Sequence, residues 1–405
     1  VPGTDERARS RRALAAAASY IILTSNSTAS SAVFVAYRQQ WGLSPGDVAL
    51  AFSVYVGTLI PVLLIFGGHA ERYGRRLMVG IGTGFMLAGT LSLLLARGFP
   101  ELIVARLSQG IGAALAVGVM SATFTEAYRG KIVAGQALAV VTAFALAGGP
   151  VVTALAYDLG GGTNLSYLPM LILGILAVGL LPFFESRPAP AGVATVEPPL
   201  PVDSVRSGLL FAMPMVFVAW AGTALYLSLV PSYLAAAIHV SDPLVGAGAF
   251  VATQLATVVA SIRFGNVAPQ RSGPVAAAGV VVGLVLLVWG THANSWWLIG
   301  IATLVVGGSS GVASGASFGV AGLIGRGQRA RVFARLLVAA YAGYSLPSLI
   351  TGIIASRTSF LAGFATTIAI LAVIAAATPL FRARAESALR HAARPAPIEQ
   401  LTGFD

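Results

Sequence analysis

The sequence predicts an all-α membrane protein of twelve transmembrane helices, arranged as two pseudo-symmetric six-helix bundles. Three observations carry this. First, the 405 residues are 57% hydrophobic and only 10% charged, where a soluble domain carries about 25% charged residues. Second, apolar runs of the length needed to cross roughly 30 Å of hydrocarbon recur from Leu14 to Leu380. Each must satisfy its own backbone hydrogen bonds, which makes them helices, and the alternation of barrel strands is absent. Third, the basic residues fall on alternate connections. Apart from Arg106, inside a run, and Arg38, Arg97 and Arg357, all of them lie on one predicted side. That asymmetry predicts cytoplasmic N- and C-termini.

The predicted spans are 14–36, 48–67, 77–96, 102–125, 133–157, 165–184, 208–234, 244–262, 274–291, 296–320, 332–354 and 358–380. The basic run Arg7 to Arg12 before the first span resembles a signal-peptide start, but eleven further spans follow, so it is read as part of the mature chain. The net charge of +11 reports orientation and contact with anionic lipid headgroups rather than nucleic acid. Cysteine is absent, which excludes disulfides and thiolate chemistry. A composition rich in Ala and Gly, with arginine in place of lysine at nearly every basic position, points to a bacterial plasma membrane.

The segment 185–206 is polar and proline-rich and reads as a semi-rigid cytoplasmic linker. It divides the chain into an N-terminal bundle (1–184) and a C-terminal bundle (207–382), with a cytoplasmic tail at 383–405. The halves echo each other. Arg129-Gly130 pairs with Arg326-Gly327, Pro150 with Pro347, Gly110 with Gly311, and Glu71-Arg72-Tyr73-Gly74 with Gln270-Arg271-Ser272-Gly273, all at nearly one offset. A parallel repeat of six spans follows. Span ten also carries Gly307, Gly311, Gly315 and Gly319, one every fourth residue, and span four carries Gly110, Ala114, Gly118 and Ala122. Small residues at that spacing let helix backbones approach closely.

Two charged motifs interrupt this apolar chain. One is the tight hairpin Gly67-Gly-His-Ala-Glu71-Arg72-Tyr-Gly74-Arg75-Arg76; the other is Arg106-Leu-Ser-Gln109-Gly110-Ile-Gly112 in span four. The first resembles the loop between the second and third helices of the major facilitator superfamily, with Glu71 where the family usually has Asp. The second resembles that family's fourth-helix signature. Gly149-Pro150 in span five matches the Gly-Pro core of a signature associated with exporters, and it predicts a helix bend, because proline removes a backbone donor. The resemblance covers about residues 13–382 and implies a transporter in which spans one, four, seven and ten line a central path and the bundles rock around it. It further implies a conformational latch of Gly67, Glu71, Arg72, Gly74, Arg75, Arg76 and Glu126, in which Arg75 pairs with Glu126 and Glu71 lies near the start of span eleven at about Val332.

Arg106 is the only charge placed well inside a span, at a cost of at least ~2.5–3.5 kcal/mol. A cavity-facing cation is one reading, and snorkelling to the nearer surface is the other. No acidic residue falls near midspan, and span one offers Asn26 among hydroxyls where drug-expelling relatives often carry an acid. The substrate and proton path is therefore expected at Asn26, Arg106, Gln109, Trp220, Tyr226, Gln254, Ser310, Tyr341 and Tyr344, for a small neutral or anionic amphipathic compound. The leading expectation is proton-coupled efflux by a monomer; uptake or exchange of a small organic metabolite is the alternative. No metal cluster, phosphate-binding loop or cofactor motif is present, so no cofactor is expected and the chain reads as a non-enzyme. Gly315-Ala-Ser317-Phe-Gly319 fits a hydrolase elbow in letters only. It lies inside a predicted helix, and the four histidines lie in loops or tails.

Overall fold

The computed structural model describes residues 2–66, 73–128, 134–185, 200–324, 329–384 and 386–387. Gly67, Glu71 and Arg72 of the expected latch, both Arg-Gly pairs of the repeat, most of the linker and the end of the tail lie outside the described residues. The described residues contain helices and no strand.

The helices in order are α1 Pro2–Thr28, α2 Phe34–Trp41, α3 Pro45–Phe66, α4 Arg75–Leu94, α5 Phe99–Ala127, α6 Ala134–Ala156, α7 Leu168–Val178, α8 Val202–Ser228, α9 Val230–Ile238, α10 Pro243–Phe264, α11 Pro269–His292, α12 Trp296–Ile324, α13 Arg329–Arg357 and α14 Phe360–Ala377. Among the described residues, ten helices are long and apolar enough to cross a membrane by length and composition. Two further segments complete the twelve. Span one is divided between α1 and α2, and span six is the shorter apolar α7.

Two departures from the expected spans have clear causes. Span one is not one helix. A 3-10 turn, Ala29–Val33, separates α1 from α2. The hydroxyls of Ser27, Thr28 and Ser31 bond back to carbonyls three or four residues earlier, which loosens a helix at that point. Span seven begins at Val202, inside the expected linker. Pro201 ends the extended approach and Asp203 occupies the first turn, where a carboxylate suits the positive end of the helix dipole. Arg206 therefore stands on a helix.

The repeat is visible in packing. Gly110 of α5 lies against the Tyr55 carbonyl of α3, and Gly311 of α12 against the Thr257 carbonyl of α10. Gly149 of α6 lies against the Ser25 carbonyl of α1, and Gly343 of α13 against the Phe217 carbonyl of α8. Spans four on two and five on one are thus matched by ten on eight and eleven on seven. Ser317 sits in mid-α12 with its hydroxyl bonded to the Ala313 carbonyl, so the elbow motif is ordinary helix.

The bundles meet toward one end of the molecule. Ser356 accepts from the Gly46 amide at 2.6 Å, Gly352 packs on Pro45 and Ala49, and Ser53 reaches the Ser345 carbonyl. The Arg38 guanidinium covers the Phe360 ring, and Ala32, Ala154 and Ala247 form a small shared core. At the other end, called here the basic end, the described ion pairs stay within one half of the chain: Arg75–Glu126, Arg12–Glu185 and Arg382–Glu386. The glycine stripe of α12 packs within the C-terminal bundle. Gly307 and Gly311 touch α10, but Gly315, nearer the basic end, faces open space. The described contacts between the bundles lie away from the basic end.

Candidate functional site

Arg106 sits on α5, 2% exposed. It does not snorkel. Its guanidinium donates to the Ser27 carbonyl at 2.6 Å, to Gln109 Oε1 at 2.8 Å and to the Ala51 carbonyl at 3.2 Å. The Tyr55 ring lies beneath it, 4.6 Å from centroid to charge. Every one of these partners is neutral. Three charge-assisted hydrogen bonds and a cation–π contact hold the group, yet none of its partners among the described residues balances its charge.

The break in span one supplies one of these acceptors. Gln109 Nε2 donates to the Asn26 carbonyl, and Asn26 in turn donates to the carbonyls of Ile22 and Met170 and accepts from Thr90. Asn26 and Gln109 are thus fully engaged residues that orient the arginine across spans one, three, four and six. They do not present free amides to a path.

Above the arginine lies an aromatic group shared by both bundles. Tyr344 packs on Phe52 with ring centroids 5.0 Å apart. Trp220 meets Tyr341 edge-on at 5.2 Å and Tyr344 at 5.8 Å. Three of the expected aromatics are therefore brought together against α3, the helix whose Tyr55 ring lies beneath the arginine. Tyr226 is placed elsewhere, buried in the C-terminal bundle with its hydroxyl accepting from Thr303. Gln254 and Ser310 are also buried there, and Gln254 Oε1 and Ser310 Oγ have no partner among the described residues.

Sequence reasoning missed Phe52 and Tyr55. The signal that selected Tyr341 and Tyr344, a polar aromatic at midspan, was equally present at Tyr55. What it lacked was the knowledge that span two faces span eleven.

At the basic end, Gly74 holds φ at 93° as α4 begins, a backbone conformation that costs a side chain energy. This turns Arg75 onto Glu126, which accepts both guanidinium nitrogens at 2.5 and 2.8 Å. Arg76 donates to the Pro182 and Phe184 carbonyls. Glu126 is 58% exposed, so the pair is worth no more than about 1 kcal/mol. Replacing Glu126 by Gln should therefore lower transport by less than about fivefold, measured as initial flux in vesicles. Complete loss would show the pair to be far better shielded than this.

Comparison with known proteins agrees with the fold. The family model described as Major Facilitator Superfamily matches residues 15–321. The chain is 31% identical over 169 residues to the 3-(3-hydroxy-phenyl)propionate transporter of Escherichia coli (strain K12). That match spans 40% of this chain and 40% of the relative's length. Two solved structures share the fold, both of a bacterial homolog to the human lysosomal transporter Spinster, in inward-facing conformations. The unoccupied one has a TM-score of 0.72 at 16% identity, covering 96% of this chain and 99% of that one. The occupied one has a TM-score of 0.68 at 15% identity over the same shares.

Proposed function

The chain belongs to the major facilitator superfamily of transporters, and from that premise we propose that it exports a small organic anion bearing an aromatic or other apolar body. One observation carries this reading: Arg106 is a buried cation of the N-terminal bundle, stacked on Tyr55 of the helix that packs against α13, and its described partners are all neutral. An anion entering beside it supplies the missing charge, and the walls of Trp220, Tyr341 and Tyr344 suit an apolar ring. The substrate for which the relative is named is an aromatic ring on a carboxylate chain, which supports the same class.

In this reading the basic end and both termini face the cytoplasm of a bacterial plasma membrane. One chain forms one path, and the two halves rock around Arg106. Gly149-Pro150 would act as the bend in span five, and the loop from Gly67 to Arg76 with Glu126 as the latch.

The link to protons is electrical. Among the described residues every acid of the spans lies near a helix end, so no midspan carboxylate is available to carry a proton. A monoanion leaving a negative interior needs none. The membrane potential itself drives it, at about 2.3 kcal/mol per 100 mV, or about 50-fold in concentration ratio. Import of the same anion would have to overcome that gradient, which is why export is favoured over the alternative of uptake.

The test uses proteoliposomes loaded with 3-phenylpropionate. A potassium-diffusion potential, negative inside, should accelerate efflux and generate a current. An imposed pH gradient without potential should not, and 3-phenylpropanol should not be moved. Flux that follows the pH gradient alone would replace this mechanism with direct proton exchange. Equal transport of the alcohol would remove the anion from the proposal.

A further inference from the structure

A second basic site lies at the basic end, away from Arg106. A cavity of about 530 Å³ opens between α8 and α13, walled by Arg206, Arg331 and Arg335 and floored by Leu209, Leu210 and Met213. None of the three arginines forms an ion pair among the described residues. All three also lie near the described starts of α8 and α13. Orientation in the membrane accounts for arginines at this end. It does not account for three of them converging on one apolar-floored cavity, without a carboxylate, at two helix starts.

The cavity and the site share one face of α8. Arg206, Leu210, Met213, Phe217 and Trp220 recur at spacings of three and four, and so share one face of α8. Trp220 stands two turns beyond Met213, about 10 Å along the helix, where it meets Tyr341 of the same α13 that carries Arg331 and Arg335.

We propose that this cavity is a staging site for organic anions. Arg206, Arg331 and Arg335 would hold the anionic group and Leu209, Leu210 and Met213 the apolar body, before the molecule moves along α8 to Arg106. The inference rests on the anion reading of the central site. It adds a separate place of binding, and it gives the path a built-in preference for loading from the basic end.

The test exploits the absence of cysteine from the sequence. A single Leu210→Cys is labelled with N-ethylmaleimide in phosphatidylcholine nanodiscs, with 3-phenylpropionate as the probe. At ten times its half-protecting concentration the probe should slow labelling about tenfold by simple occupancy, and 3-phenylpropanol should not. Protection should persist with Arg106→Gln. It should weaken by about two- to fivefold for each of Arg331→Gln and Arg335→Gln, and fade as the Debye length shrinks from about 30 Å to about 3 Å with added salt. Arg206→Gln serves if either variant does not fold.

Transport without protection would overturn the staging site and leave the central reading intact. Protection lost with Arg106→Gln alone would also overturn it, because labelling would then only report the central site. Protection without transport would uphold the staging site while removing the export reading. Slowing by phosphatidylglycerol in the nanodisc, with none from 3-phenylpropionate, would make this a lipid-headgroup site and end the proposal.

Discussion

Replacing Arg106 by Gln is expected to reduce transport of an organic anion by at least about 30-fold, since truncating one partner of a desolvated charge pair costs roughly 2–5 kcal/mol. The protein should remain folded. Gln removes an uncompensated charge from a site where only carbonyls and an amide face it, so the apparent melting temperature should hold or rise. Arg106→Lys is expected to fail nearly as badly. The guanidinium reaches Ser27, Gln109 and Ala51 from two nitrogens in a fixed plane while stacking on Tyr55, and a lysine ammonium reproduces neither the plane nor the stack. Flux into proteoliposomes, read beside thermal unfolding of the same preparations, separates loss of chemistry from loss of fold. Undiminished anion flux in Arg106→Gln would remove the arginine from the mechanism and with it the electrical argument for export.

The parts of this molecule legible in the sequence are those that solvent and the membrane dictate. Hydrocarbon thickness set the spans, and the scarcity of interior charge singled out Arg106. The pairing of Arg75 with Glu126 followed from family resemblance and has the geometry to match. The parts that were not legible depend on which face meets which. The run from Thr24 to Ser31 reads as a polar lining for a path. In the structure Ser27 and Thr28 return their hydroxyls to nearby carbonyls and break the helix, and the loosened backbone gives Arg106 the Ser27 carbonyl. Asn26 looked like a free amide and is instead fully used in setting the arginine's position. Tyr226 and Tyr341 carry the same local signal, a tyrosine at midspan. One packs within its own bundle and the other faces across to Trp220, a difference fixed by helix rotation that a single chain does not display. Arg206 was hidden differently, because a proline-rich composition extended the linker over the first turn of α8.

The second large effect is expected at Gly149. A methyl there would collide with the Ser25 carbonyl, the Thr28 hydroxyl and the Ala29 amide, the point at which span one breaks. The helices have little freedom to yield, because Ser25 donates to the Ala145 carbonyl at 2.8 Å and Thr28 to the Leu146 carbonyl at 3.0 Å. Overpacking in a close-packed interior costs about 1–3 kcal/mol and sometimes more, and here it falls on backbone rather than on the end of a flexible side chain. Gly149→Ala should therefore lower the melting temperature by several degrees, and Gly149→Val should abolish recovery of folded protein. Gly315→Ala is the matched comparison. It lies in a glycine stripe of a similar kind but meets open space, and alanine is favoured over glycine in a helix by about 1 kcal/mol. Its melting temperature should hold or rise. If the bundles rock so that the basic end closes, that same face must later pack, and Gly315→Ala should transport more slowly despite its stability. A stable, fully active Gly315→Ala would mean that the lower part of α12 never enters a close contact, and that closure at the basic end is made by other helices.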